Sequence, residues 1–245
     1  LQTHQLGLSK PSSTSQLAIA NGNEVGRLAR QNYPTGRLIG HIEQPDLAVA
    51  ETTGLIMDKQ PAPIFEAAFV HADVLVRADI LAPVGAAWRM IEVKSSGSVK
   101  DHHLIDCAVQ LWVLEGQGVQ VQEVCIAHVD TSFVYSGDGD YGKLLIEEDV
   151  TEKVRALLPE VPAWLASHRD ILANPEPAIH MGSQCKPDCQ FEDYCAEGLT
   201  EYPVSILPNG RKVITDLQKS GIEDVRDIPD GVLKNERHIM VRLAT

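Results

Sequence analysis

The segment VLVRADILAPVGAAWRMIEVKSS, residues 74–96, constrains the fold of this chain more than any other. Two apolar stretches flank a turn at residues 83–85 (PVG), which is typical of a β-hairpin. Side chains of a strand project alternately to opposite faces, so Glu92 and Lys94 share one face and Val93 takes the other. The segment therefore predicts two adjacent antiparallel strands with charged side chains among apolar ones.

Three charged residues of this hairpin are candidates for catalysis. Burying a carboxylate and an ammonium among aliphatic side chains costs free energy, so such burial points to a functional role. Binding a divalent cation would be one such role. Asp79 and Glu92 offer the hard oxygen ligands that Mg²⁺ and Mn²⁺ prefer. Lys94 would then orient an attacking water or neutralise charge on a phosphoryl transition state. Acid-x-Lys at a strand end is common, however, and by itself indicates no activity.

Composition narrows the class of protein. The 245 residues, 44% hydrophobic and 22% charged, suffice for one large domain or a core with a small appendage. No apolar run approaches a membrane span and no signal peptide is visible, so we expect a cytoplasmic protein. The chain begins at Leu1 rather than Met, from which we expect an upstream piece. A net charge of −13 argues against a broadly basic nucleic-acid surface but leaves room for a narrow basic channel.

The pattern along the chain predicts alternating helices and strands. We expect a flexible lead-in over 1–15, a core over 16–176, a cysteine-bearing segment over 177–200, and a tail or further domain over 201–245. Gly22 and Gly26, inside a predicted helix, indicate close approach of another element. The predicted helices span 16–33, 45–59, 101–116, 149–173 with kinks at its prolines, and 212–219; the predicted strands span 63–70, 73–81, 88–95, 119–130 and 143–147.

The cysteines form two groups. Cys185, Cys189 and Cys195 lie within eleven residues, a strong signal for metal ligands, whereas Cys107 and Cys125 lie in apolar segments and are expected in the core. Thiolates favour zinc or an iron–sulfur cluster, and both normally need four ligands.

With Asp79, Glu92-Val93-Lys94 and Gln110 considered together, the chain resembles the PD-(D/E)XK nuclease superfamily. The closest similarity is to its RecB-like branch, which includes CRISPR-associated iron–sulfur exonucleases. The resemblance implies an α/β fold with a central mixed four- to five-stranded sheet flanked by helices. It also implies that Asp79, Glu92 and the Val93 carbonyl hold the metal, that Lys94 assists the nucleophilic water, and that Gln110 touches the site.

Three further residues extend the predicted site. Glu66, flanked by apolar residues on its strand, is a candidate third acid for the metal. Glu24 lies where related nucleases carry a first helical motif, although the His of that motif is replaced by Gly26. Lys100, at the start of the Gln110 helix, is a candidate phosphate contact, or else part of a solvated cap.

For the cysteine triplet, the resemblance implies a [4Fe-4S] cluster with a fourth, N-terminal cysteine that this chain lacks. His180 is a local substitute that would favour a Zn²⁺ site instead.

The function implied by the resemblance is metal-dependent hydrolysis of DNA, exonuclease-like on single-stranded ends, with a further domain or DNA-processing protein as a possible partner. Two alternatives remain: a nuclease fold that binds or assembles without cutting, and a zinc-binding adaptor.

Overall fold

A computed structural model describes residues 13–58, 61–176, 189 and 191–245. Chain contacts divide it into two compact units, one spanning Ala18–Ser167 and the other containing the chain from His168 onward. The strands are β1 (Arg37–Leu38), β2 (Ile64–His71), β3 (Val74–Val84), β4 (Ala87–Lys94), β5 (Val121–Val129) and β6 (Leu145–Asp149). The α-helices are α1 (Ser13–Gln31), α2 (Pro45–Ile56), α3 (Asp101–Gly116), α4 (Thr151–Leu157), α5 (Val161–Ala173), α6 (Glu192–Ala196), α7 (Arg211–Lys219) and α8 (Glu236–Ala244).

The six strands form one mixed sheet in chain order. β2, β3 and β4 make an antiparallel meander, β4 and β5 run parallel, and β1 is parallel to β2. Parallel neighbours cannot be joined by a tight turn, and α3 supplies the crossover between β4 and β5. β5 and β6 are again antiparallel. The protein is thus an α/β protein whose sheet is flanked by helices.

Hydrophobic cores cover both faces of the sheet. On one face Met90 and Ile126 pack with Leu111 and Leu114 of α3 and Val154 of α4. The core on the opposite face is smaller and includes Ala29 of α1. Its buried strand residues are Phe65, Ile80, Ala82, Ile91, Cys125 and Ala127. Among the charged residues of β3 and β4, Glu92 is buried and the others are partly exposed.

Most predicted elements are confirmed, including the hairpin of β3 and β4, the helix over 101–116 and the break at Pro159, where a 3₁₀ turn separates α4 from α5. The expected four to five strands are too few: β1 has two residues, too short for an alternating pattern. α2 also ends at Ile56, before the expected Lys59. The expectation for Gly22 and Gly26 was wrong, because a Cβ at either position would meet open space.

The C-terminal unit has a core of its own. Seven residues form it: Val204, Leu207, Ile214, Leu217, Val225, Ile228 and Leu233. The helix expected at 212–219 is α7, which supplies two of them. In neither unit, within the described ranges, does any helix combine the length and apolar character needed to cross a lipid bilayer.

Candidate active site

The pairing of β2, β3 and β4 is interrupted at the positions of three acids. The β2–β3 ladder skips the position that would pair Glu66 with Asp79. The β3–β4 ladder ends at Ile80 and Ile91, one step before Asp79 would pair with Glu92. Glu66 has a φ of 57°, a left-handed conformation that is uncommon for a residue with a side chain. The register thus aligns the three acids across neighbouring strands.

Asp79 is the acid of β3 and lies against the backbone of β4. The Val93 N–H donates a hydrogen bond to its Oδ2 at 2.7 Å. Burial raises the pKa of the Asp79 carboxyl well above its usual range, and the nearby Glu92 and Glu66 charges raise it further, while the Val93 bond opposes them. Asp79 is therefore a carboxyl group whose negative charge lacks sufficient compensation.

Glu92 is buried on β4, and each of its oxygens has a partner. The Lys94 ammonium donates to Oε1 at 2.7 Å, and the Gln110 amide donates to Oε2 at 2.8 Å from α3. Burial raises the pKa of Glu92, against the opposing effect of the Lys94 charge. Gln110 Oε1 is itself buried and accepts no hydrogen bond from any described residue.

Lys94 joins Glu92 to a second carboxylate, that of Asp106 on α3, at 2.6 Å. Burial disfavours the charged ammonium, but the attraction of Glu92 and Asp106 outweighs it and raises the pKa of Lys94. Lys94 is therefore a firmly protonated cation on the face of the sheet that α3 covers, as the two-residue period predicted for Glu92 and Lys94.

Glu66 does not join the two other carboxylates closely. Its Oε1 lies 3.5 Å from the Arg30 guanidinium of α1. In the part of the chain that the structure describes, no three His, Cys, Asp or Glu side chains are grouped closely enough to hold one metal ion. The arrangement in hand thus offers a pair of carboxylates, Asp79 and Glu92, rather than the predicted triplet.

Two other predicted site residues lie apart from these acids. Glu24 on α1 accepts hydrogen bonds from the Arg27 guanidinium at 2.7 and 2.9 Å, a contact within α1. Lys100 is exposed at the N-terminal end of α3, where its backbone N–H contacts His103 Nδ1 at 3.2 Å. Neither residue contacts the Asp79–Glu92 pair.

Of the cysteine triplet, Cys185 lies outside the described residues, as does His180. Cys189 is exposed and Cys195 is partly buried in α6. Cys107 and Cys125 are buried in the two sheet cores, which confirms their predicted place.

Sequence reasoning assigned no role to Asp106 or Arg30. A signal for Asp106 exists, since it precedes Gln110 by four residues and such residues share a helix face. The Arg30 contact with Glu66 joins residues distant in sequence, and no local pattern indicates it.

Few known proteins are similar to this chain. No family model matches the chain, and no curated protein matches it. Among solved structures, the crystal structure of SSO0001 is similar over 75% of this chain and 82% of that chain, at 15% identity and a TM-score of 0.29. A similarity at that TM-score supports no inference about fold family or function.

Proposed function

We propose that this protein is a metal-dependent nuclease of the PD-(D/E)XK type that hydrolyses DNA phosphodiester bonds, acting as an exonuclease on single-stranded ends. One observation carries the proposal: Asp79 and Glu92 adjoin at an interruption of the strand pairing, with the Lys94 ammonium on Glu92. The sheet also supports it, because the resemblance implies a central mixed sheet flanked by helices, and the six strands form one mixed sheet.

The donor set fits Mg²⁺ or Mn²⁺. Mg²⁺ commonly keeps several waters and binds through one or two carboxylates together with substrate phosphate, so the Asp79–Glu92 pair is sufficient. Burial raises the pKa of both carboxyls and the Glu92 charge raises that of Asp79 further, and a dication would stabilise the ionised acids. The Val93 carbonyl would be a further ligand.

Each residue of the proposed site has a separate role in the reaction. A bound dication would polarise the phosphoryl oxygen and lower the pKa of its water. Lys94 donates hydrogen bonds from a group that stays charged, which suits stabilisation of the charge that develops on the phosphoryl oxygens. Gln110 holds Glu92 in orientation through its amide. The Cys185, Cys189 and Cys195 site, as a [4Fe-4S] cluster or Zn²⁺, remains a prediction.

The second candidate is a nuclease fold that binds nucleic acid or assembles with a partner without cutting. One observation favours it: the cationic Lys94 ammonium lies 2.7 Å from Glu92 Oε1, where it would repel a metal ion in this conformation. The net charge of −13 points the same way.

Cleavage of end-labelled single-stranded DNA in Mn²⁺ tests the proposal. Asp79→Ala and Lys94→Ala should each lower the rate by about 100-fold or more, since each removes a group that acts in the transition state. Asp101→Asn is the matched control, because Asp101 is an exposed acid at the start of α3.

Calorimetric titration with Mn²⁺ separates the two candidates. Binding that is lost in Asp79→Ala, together with cleavage, supports the nuclease. A parent protein that binds no Mn²⁺ supports the inactive module. If Asp79→Ala and Lys94→Ala cut as fast as the parent, the nuclease assignment is wrong.

A further inference from the structure

Lys94 lies between two carboxylates at different depths. Its Nζ is 2.7 Å from Glu92 Oε1 and 2.6 Å from Asp106 Oδ2. The side chains of Glu92, Lys94 and Asp106 are 8%, 23% and 46% exposed, so the ammonium bridges a buried acid and a surface acid.

This geometry creates a competition at Glu92. Lys94 donates to Oε1 and the Gln110 amide donates to Oε2, so a dication on Oε1 would lie close to the positive Lys94 ammonium. Repulsion between the two cations favours movement of the ammonium away from Oε1 when a dication binds. Lys94 is the donor that can move, because Asp106 already offers its ammonium a second acceptor, whereas Gln110 is buried and, among the described residues, its amide donates to Glu92 alone.

We propose that Asp106 is a positioning residue that keeps Lys94 beside the site when Glu92 gives Oε1 to the metal. This inference rests on the proposed function and adds a residue and a step to it. An ammonium released from a buried carboxylate would otherwise lose a strong charge-assisted hydrogen bond without replacement. With Asp106 in place the exchange costs less, and Lys94 stays next to the phosphoryl group.

The position of Asp106 on α3 suits this role. It lies four residues before Gln110, so both side chains project from the same helix face toward β4. The two α3 residues thus hold the two sides of the Glu92–Lys94 pair: Gln110 orients the carboxylate and Asp106 anchors the ammonium.

A double-mutant cycle on Mn²⁺ affinity tests the inference without relying on activity. Four proteins are compared by calorimetry: the parent, Asp106→Asn, Lys94→Met and the double variant. Asp106→Asn should weaken Mn²⁺ binding by about fivefold to tenfold, within the usual range of site coupling, because Lys94 is then held by Glu92 alone. Lys94→Met should tighten binding, since the competing cation is gone, and Asp106→Asn should then have almost no further effect.

A simple charge effect predicts the opposite pattern. If Asp106 only attracts cations to the surface, Asp106→Asn weakens binding at least as much in the Lys94→Met background, where its charge is no longer masked. That result would overturn the inference while the nuclease proposal stands. Asp101→Asn, which removes a charge elsewhere on α3, should change Mn²⁺ affinity little in either background. If the parent binds no Mn²⁺ at all, both proposals fail.

Discussion

The surroundings of Asp79 disfavour its negative charge. Its carboxyl is half-buried, the Glu92 and Glu66 charges disfavour its ionised form, and its Oδ2 accepts a hydrogen bond from the Val93 N–H. A group with a raised pKa in the folded state favours the protonated form, so its contribution to stability is greatest at low pH and is lost as pH rises through the folded pKa. Such a residue lowers the stability of the fold at neutral pH, which is typical of functional sites.

Asp79→Asn should therefore stabilise the metal-free protein at neutral pH by about 1–3 kcal/mol, because the neutral amide keeps an acceptor for the Val93 N–H and removes the buried charge. The gain should be small near pH ~4, where the parent carboxyl is protonated, and should grow toward pH ~8. Denaturant unfolding at several pH values in the presence of a chelator measures it. Equal or lower stability of the variant at every pH would contradict the argument, and Asp101→Asn serves as the control.

At the scale of elements, side chains of the helices form hydrogen bonds with residues of the strands. Gln110 and Asp106 reach β4 from α3, and Thr52 of α2 is fully buried, where its Oγ1 accepts a hydrogen bond from the Ala68 N–H at 3.0 Å. Thr52 thus attaches α2 to β2 at a strand position next to the interrupted pairing. A buried N–H without an acceptor is destabilising, so this one contact matters more than its length suggests.

Thr52→Val should lower the free energy of unfolding by about 1–3 kcal/mol, the usual cost of leaving a buried donor without a partner. Thr52→Ser keeps the hydroxyl and should cost less, although it removes a methyl group. Chemical denaturation of both variants, followed by circular dichroism, provides the comparison. If the valine variant is as stable as the parent, the hydrogen bond does not anchor α2.

At the scale of the whole molecule, the stability of each of the two units depends on pH through a different carboxyl group. In the C-terminal unit, Asp224 is buried and accepts hydrogen bonds from the Arg226 guanidinium, from the Arg226 backbone N–H and from the Tyr202 N–H. Arg226 holds the pKa of Asp224 well below its usual range. The stability that Asp224 contributes is therefore present at neutral pH and is lost as pH falls through the lowered pKa, the reverse of Asp79.

Asp224→Asn should loosen residues 201–245 at neutral pH, because the amide cannot satisfy the guanidinium and both backbone donors. Hydrogen–deuterium exchange should show faster exchange around Val204 and Val225 and unchanged exchange in β4 and β5. Asp230→Asn is the control, since the Asp230 side chain is almost fully exposed and forms a surface ion pair with Arg242. Unchanged exchange in the Asp224 variant would mean that the network does not stabilise this unit.

Local patterns in the sequence were enough to predict the β3–β4 hairpin, the shared face of Glu92 and Lys94, and α3, because period-two alternation and helical spacing act over a few residues. They also placed Asp79 one strand from Glu92, since a hairpin brings its two strands together. β1 was missed because two residues make no period.

Only the tertiary structure decided which side chains engage the acids. Glu66 faces Arg30 of α1, Lys94 divides itself between Glu92 and Asp106, and the pairing of β2, β3 and β4 stops at the acids. These contacts join residues far apart in the chain, and they depend on how α1 and α3 pack on the sheet. Local pattern was thus enough for most of the elements and for the candidate acids, whereas tertiary packing set the partners of those acids, because charges respond to distance and burial rather than to position in the chain.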